Sequence, residues 1–327
     1  MAQKRSRFVQ AVAWFLLLGV VGITAIALLS SRYGWPIYLE LLSHFQRQYW
    51  LLSVVALAAI ALTRCRWPTL IAIACVAVLT TPLLPWYLPP QFLQAQPEGN
   101  FRILVSNLNT KNRNFEAALT MTRAENPDLA LFMEVDDRWV EQLNTLLTTL
   151  PHFSGRSDPF NRGIVIYSRY PLDAVEVIDL APDSTPSITA TVEVNGQRLA
   201  VVGTHPLPPV RPSLFHSRNR QLDQLGQHLQ TMQEPQVVIG DFNITMWSPY
   251  YKRFKRQTGL KNVRDGFGVL PSWPTGGTYS TIPAWVTELL AIPIDHGLLS
   301  PELTVADVRV GQDVGSDHLP VVIDLSL

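Results

Sequence analysis

The chain has 327 residues, 47% of them hydrophobic and 16% charged, with two cysteines and a formal net charge of zero. That length suits a domain of ordinary size plus a further segment, and two cysteines supply neither a disulfide framework nor a cysteine-built metal site. The neutral total hides a split, because residues 100–327 carry 19 Lys and Arg against 24 Asp and Glu, a balance of −5; this argues against general nucleic-acid binding, which relies on clustered positive charge.

In chain order, the charge-free stretches 8–31, 48–63 and 67–97 come first. They predict a transmembrane segment over residues 1–89, with three helices at about 8–30, 48–63 and 67–88. At ~1.5 Å per residue the first would cover roughly 35 Å and the second roughly 24 Å, against a hydrocarbon core of about 30 Å. Trp35, Tyr49, Trp50, Trp67, Trp86 and Tyr87 lie near the ends of these stretches, where interfacial aromatics are found. The first stretch is too long for the apolar core of a signal peptide, and no small-residue cleavage site follows LLSSRYGWP. An uncleaved anchor is expected; buried helices of a soluble protein are the competing reading.

Lys4, Arg5, Arg7, Arg64 and Arg66 would lie on one side of the membrane, with Arg32 and Arg47 on the other. The excess of basic residues puts the N-terminus in the cytoplasm. Three crossings then place the rest of the chain outside the cytoplasmic (inner or plasma) membrane, and the side reverses if the second stretch does not span. Residues 90–100, rich in Pro and polar residues, read as a linker.

From residue 101 onward, strand-like runs are expected at 101–106, 129–133, 163–168, 188–194, 198–204, 236–240, 293–299, 304–310 and 319–326. Helices are expected at about 114–125, 136–149, 213–232 and 248–257. Asn195-Gly196 between two alternating runs is a hairpin signal. Many strands with few helices predict an α/β domain over 101–327, with two packed mixed sheets covered by helices. The stretch Pro271 to Pro293 reads as an irregular loop with a short turn of helix, suited to contacting substrate.

Six polar clusters sit at the ends of these runs: Asn107-Leu-Asn109, Glu134, His205, Asp241-Phe-Asn243, Asp295-His296 and Ser316-Asp317-His318. Strand ends are where ligands bind in open α/β sheets. Phosphoester hydrolysis needs a metal, a base for water, and donors for the transition state. Glu134 closes a strand too apolar to favour it and is the first candidate ligand for Mg²⁺, with Mn²⁺ as a possible substitute. Asp241 is placed to orient water and Asn243, two residues on, to donate to phosphate. Asn107 and Asn109 repeat that spacing and could hold a metal-bound water or a phosphate; caps and turns are the plainer explanation for such asparagines.

His318 is the candidate base, with Asp295 as its orienting carboxylate, Asp317 left for the metal, and His205 a donor to phosphate. Arg218 and Arg220 could clamp a phosphate or form a solvated helix face. The basic run 250–256 could meet anionic lipid or substrate, or be an amphipathic face. His216 and His296 lack support, and His44, His152 and His228 are read as surface or packing residues.

The ordered set N-L-N, E, T-H-P, G-D-F-N, I-D-H and S-D-H resembles the endonuclease/exonuclease/phosphatase superfamily of deoxyribonuclease-like fold, over about residues 100–327. The resemblance implies a four-layer α/β sandwich. It implies that Asn107 and Glu134 belong to the metal site, that His205, Asp241 and Asn243 contact water and phosphate, that Asp295 partners a catalytic His318, and that Asp317 lies beside the metal. Asn109 stands where nuclease members often carry Asp, which weakens a two-metal reading. The D-F-N-x-x-x-W-S-P-Y run and the P-I-D-H and G-S-D-H-L-P endings are similar to a membrane-anchored group that includes vancomycin- and teicoplanin-resistance-type proteins. That likeness implies a lipid-linked phosphate or pyrophosphate substrate. A membrane-bound nuclease or phosphodiesterase is the rival expectation, and a non-catalytic scaffold of the same fold the third.

Overall fold

The computed structural model describes residues 2–89, 97–181 and 185–327. The chain divides into two compact units, Met1–Trp86 with Trp247–Pro249, and Tyr87–Met246 with Tyr250–Leu327. Most of the expected linker, residues 90–96, lies outside the described residues.

The first unit is helical: α1 (Ala2–Tyr33), α2 (Ile37–Leu42), α3 (Gln46–Leu62) and α4 (Arg66–Thr80). Its interior is formed by Ala13, Leu17 and Val20 of α1 against Ile60 of α3 and Ala72 of α4. Two helices, Ser6–Tyr33 and Ile37–Leu62, are long and apolar enough to cross a membrane; Arg66–Thr80 is apolar but shorter. The expectation of three spanning stretches is corrected in two places. The second stretch is not short, because a 3₁₀ turn at Ser43–Phe45 joins α2 to α3. The third stops at Thr80, two residues before Pro82, which cannot donate to a continuing helix. Glu40, the sole acidic residue before Glu98, is fully buried; His44 Nε2 lies 3.3 Å from it, and Ser248 Oγ donates to it at 2.6 Å.

Among the described residues the second unit holds twelve strands: β1 (Phe101–Asn107), β2 (Leu129–Met133), β3 (His152–Arg156), β4 (Ile164–Ser168), β5 (Asp173–Ile178), β6 (Ser187–Val194), β7 (Gln197–Thr204), β8 (Gln236–Asp241), β9 (Lys261–Asn262), β10 (Asp295–Leu299), β11 (Thr304–Val310) and β12 (Val321–Ser326). They form two six-stranded sheets, ordered β11-β12-β1-β2-β4-β3 and β5-β6-β7-β8-β10-β9. The helices beside them are α5 (Phe115–Glu125), α6 (Asp137–Leu143), α7 (Pro212–Leu229), α8 (Pro249–Thr258) and α9 (Ala284–Leu290).

Strand periodicity sorts side chains between layers. Ile103 and Val105, with Leu129, Leu131 and Met133, enter a core shared with Val201, Val237 and Ile239 of the other sheet. The intervening Leu104, Ala130 and Phe132 pack outward with Leu119 of α5 and Trp139 of α6. Burial on both faces explains why these strands read as continuous apolar runs. The result is an α/β sandwich of two mixed sheets flanked by helices. The Asn195-Gly196 turn closes the β6–β7 hairpin with φ of 54° and 81°, the positive pair that a two-residue hairpin turn requires.

One topological feature builds the functional rim. β1 runs parallel to β2 and β7 parallel to β8, so these four strands deliver Asn107, Glu134, His205 and Asp241 at their carboxyl ends. β10 and β12 pair antiparallel to β8 and β1, so their amino ends, at Asp295 and just after His318, meet the same rim. In the register, Asp295 faces Asp241 directly.

Candidate active site

Asp241 is the hub. Its Oδ1 accepts from the Asn243 backbone at 2.8 Å, and its Oδ2 accepts from Asn107 Nδ2 at 3.2 Å. His205 Nε2 and His318 Nε2 each lie 3.6 Å from that same Oδ2. Asn107 Nδ2 also donates to Glu134 Oε1 at 3.0 Å, and His205 Nε2 is 3.6 Å from Glu134. His318 Nδ1 is 2.9 Å from Asp295 Oδ2. Residues from six separate stretches of sequence therefore meet in one cluster.

The backbone is bent to place them. Glu134 has φ 56° and Asn243 φ 50°, left-handed values that cost roughly 1 kcal/mol or more in a non-glycine residue. Such strain persists where surrounding contacts enforce it. Glu134 N donates to Gly163 O at 2.9 Å. Gly240 has φ 142°, and a Cβ there would lie 1.9 Å from Thr204 O, so only glycine lets β8 approach β7 this closely just before Asp241.

The charges follow from burial and neighbours. Burial pushes the Glu134 carboxyl up, opposed by His205 and by the Asn107 hydrogen bond. Burial opposes charge on His205, but Asp241 and Glu134 outweigh it and raise its pKa. For His318 burial again opposes charge, yet Asp295 and Asp241 push it up to about 10. Burial would raise Asp295, but His318, Ser272 and Arg264 hold it below the usual carboxylate range. Asp295 and His318 thus form a carboxylate–imidazolium pair.

The donors fit a hard divalent cation. Glu134 and Asp241 offer oxygens to such an ion, and Glu134 is a buried carboxylate disfavoured when ionised without a cation. The Asn107 amide turns its Nδ2 to both carboxylates and its Oδ1 to Asn109 N at 3.1 Å, so it joins them only with the amide turned over. Among the described residues, both ring nitrogens of His205 and Asp295 Oδ1 are buried without a hydrogen-bond partner, as in a site shaped for something further. Asp241, Asp295 and His318 also offer ligand atoms within 4.8 Å of one another. The Asp295–His318 hydrogen bond already occupies the facing atoms of two of them, so the Glu134 side is the better fit.

Other expected site residues have different surroundings. Asp317 accepts from Asn109 Nδ2 at 2.8 Å and from Trp273 Nε1 at 3.1 Å, so each of its oxygens is already engaged. Asn109 is held in the same contact, its Oδ1 accepting from Lys111 N at 3.0 Å. Asn243 Nδ2 donates to Pro206 O at 2.9 Å and to Asp241 Oδ2 at 3.4 Å. Arg218 is corrected outright: it is fully buried, donating to Asn243 O at 2.9 Å and to Asn219 Oδ1. It braces the Asn243 turn rather than presenting a guanidinium to substrate. His296 is a core residue, its Nε2 2.8 Å from Ile244 O and its pKa lowered by burial to about 3.

Three contributors carried no assigned role in the sequence. Ser316 Oγ donates to Asn107 O at 2.7 Å and accepts from His318 N at 3.2 Å. Ser272 Oγ accepts from Asp295 N at 3.4 Å. The Trp273 ring lies 6.3 Å from that of His318. The last two come from the Pro271–Pro293 loop, whose position after a strand-rich stretch was the signal available. The same loop exposes Tyr279, Trp285, Leu289 and Leu290.

A model of the Endonuclease/Exonuclease/phosphatase family matches residues 104–318. No curated protein matches the chain. Solved structures do. Zebrafish (D. rerio) TDP2 complexed with single-strand DNA product is 16% identical, covering 69% of this chain and 99% of that one with a TM-score of 0.59. The human Nocturnin catalytic domain with bound sulfate is 20% identical, covering 73% and 98%, TM-score 0.56. A mannosyl-6-phosphatase of Bacteroides thetaiotaomicron is 15% identical, covering 70% and 100%, TM-score 0.53. At these identities the structural likeness shows the fold alone.

Proposed function

The chain belongs to the Endonuclease/Exonuclease/phosphatase family and is accordingly a metal-dependent phosphoester hydrolase; from that premise we propose that it is a membrane-anchored, Mg²⁺-dependent enzyme acting on a lipid-linked phosphate or pyrophosphate outside the cytoplasm. The observation that carries the hydrolytic reading is the meeting of Glu134, Asp241 and the Asp295–His318 pair within one cluster.

Glu134 and Asn107 would hold the cation on the side of Asp241, with Asp317, whose oxygens accept from Asn109 and Trp273, beside them. When bound, a divalent cation would supply neutralising charge to the phosphoryl oxygens and would offset the field of Asp241, which together with the larger effect of Asp295 keeps His318 protonated. Asp241 orients the attacking water. His318 Nε2, facing Asp241 Oδ2, takes the proton, and Asp295 fixes the ring and stabilises the imidazolium. His205, and the Asn243 N–H released from its long contact with Asp241, donate to non-bridging oxygens as charge builds on them.

Anchoring is supported by the first unit's outward faces, where Phe15, Leu18, Val55 and Leu62 are exposed; only 28% and 22% of its two long apolar windows are buried, unlike core helices of a soluble protein. The proposed topology has α1 and α2–α3 as passes and the N-terminus in the cytoplasm by the excess of basic residues; an external hydrolase domain further requires the shorter α4 to cross. The lipid-linked substrate is supported by the Trp273 loop, which exposes Tyr279, Trp285, Leu289 and Leu290 and whose 23 residues carry a single charge, Glu288.

The test is a substrate panel on the full chain in detergent with Mg²⁺, with and without chelator. Release of phosphate from a polyprenyl pyrophosphate, with plasmid left intact, is expected. Nicking of plasmid without phosphate release would replace this reading with a nuclease.

A further inference from the structure

At the end of the first unit where α1 begins, α3 turns into α4 through Thr63, Arg64 and Cys65. Thr63 Oγ1 donates to Ile60 O at 2.6 Å and accepts from Cys65 N at 3.3 Å, and Arg64 takes φ 60° to complete the turn. This tight connection sets two arginines, Arg64 and Arg66, one residue apart. Facing them, α1 brings Ser6, Gln10 and Trp14, spaced by four residues and hence on one helix face.

Between these elements lies an open groove of about 740 Å³ whose lining includes Gln10, Trp14, Arg64, Arg66 and Trp67, within the size range of small-molecule sites. Among the described residues neither Arg64 nor Arg66 has a carboxylate partner, and the one acidic residue before Glu98 is the buried Glu40, which lies against His44. The Arg66 guanidinium sits 5.7 Å from the Trp67 ring centroid, so its plane is supported at the groove. Trp14 and Trp67 are 48% and 65% exposed, amphipathic rings at the mouth of an otherwise apolar bundle. Excess positive charge at a cytoplasmic loop is enough to orient a membrane protein, but it does not require a cavity. Two unpaired guanidiniums over a cavity edged by indoles are complementary to a phosphate group attached to an apolar body.

We propose that this groove binds the phosphate headgroup of an anionic phospholipid, as a site separate from the hydrolytic cluster. The proposal rests on the reading of the first unit as membrane-embedded. Basic pockets between membrane helices recognise such headgroups through the same charge pairing, and arginine is suited to it because its planar fork engages two phosphate oxygens at once.

The experiment uses the full chain in vesicles of phosphatidylcholine containing spin-labelled phosphatidylglycerol or, separately, spin-labelled phosphatidylcholine. Wild type is expected to retain the anionic probe roughly tenfold over the zwitterionic one. The Arg64→Gln/Arg66→Gln double variant is expected to retain both equally; both residues are exposed, so folding is not at stake. Equal retention by wild type and variant overturns the site. Complete displacement of the anionic probe by inorganic phosphate overturns the lipid as its source and leaves a soluble anion as ligand. Alkaline carbonate extraction of the same vesicles separates the two readings. Retention of both proteins in the membrane with no lipid preference rejects the groove alone, whereas release of wild type rejects the membrane reading and the groove together.

Discussion

His318 Nδ1 stands 2.9 Å from Asp295 Oδ2, and both side chains are buried. The contact fixes the imidazole so that its other nitrogen faces Asp241. Replacing Asp295 with Asn keeps the shape but reverses the hydrogen-bond demand on Nδ1 and removes the charge that stabilises the imidazolium. Asp295→Asn is expected to lower kcat by about 10²- to 10⁴-fold with KM little changed. The Asp295→Asn/His318→Ala double variant should lose no more than His318→Ala alone, as for residues acting as a unit. Steady-state kinetics of the three variants checks both statements.

Glu134 is a carboxylate that burial disfavours in its charged form. Glu134→Gln removes that cost along with a metal ligand. Metal-free protein carrying the substitution is expected to be at least as stable as wild type, while its affinity for Mn²⁺ falls by tenfold or more. Thermal unfolding in chelator and calorimetric titration with Mn²⁺ measure the two opposed effects.

Two histidines give opposite pH dependences to the stability of the metal-free chain. His318 is raised to about 10 in the folded state, so the folded protein holds the extra proton between about 6.5 and 10. Its contribution is full below 6.5 and is lost as pH rises through that window. His296 is lowered to about 3, so the unfolded chain binds the extra proton between 3 and about 6.5, and that contribution is lost as pH falls. In chelator, His318→Gln should flatten the alkaline decline of the melting temperature and His296→Gln the acid decline, each leaving the other limb in place.

Arg218 separates bracing from substrate binding. Arg218→Met leaves Asn243 O and Asn219 Oδ1 without their buried donor and is expected to destabilise the protein by about 3 kcal/mol while leaving KM unchanged. A raised KM at unchanged stability would instead mark a substrate contact.

Much of this fold was readable because burial on both faces leaves an unmistakable pattern: β2 is LALFM and β8 begins QVVIG, and neither could sit anywhere but in a covered sheet. β5 was not readable, since DAVEVI is largely exposed at a sheet edge, and β9 has two residues defined only by their pairing with β10. In the site, strand-end clusters marked Glu134 and Asp241, because a carboxylate after an apolar run is conspicuous. Arg218 was misread for a tertiary reason. The helix face that looks polar in sequence packs on the Asn243 turn, and nothing in α7 alone reports that. Trp273 was hidden likewise, its indole reaching Asp317 from 44 residues away.

The central claim is tested most directly by divalent-ion-dependent phosphate release from the full chain, comparing wild type with Asp241→Ala and His318→Ala at matched folding. Each substitution is expected to lower the metal-dependent rate by at least about 100-fold. Metal-dependent release that persists at the wild-type rate in both variants would contradict the account.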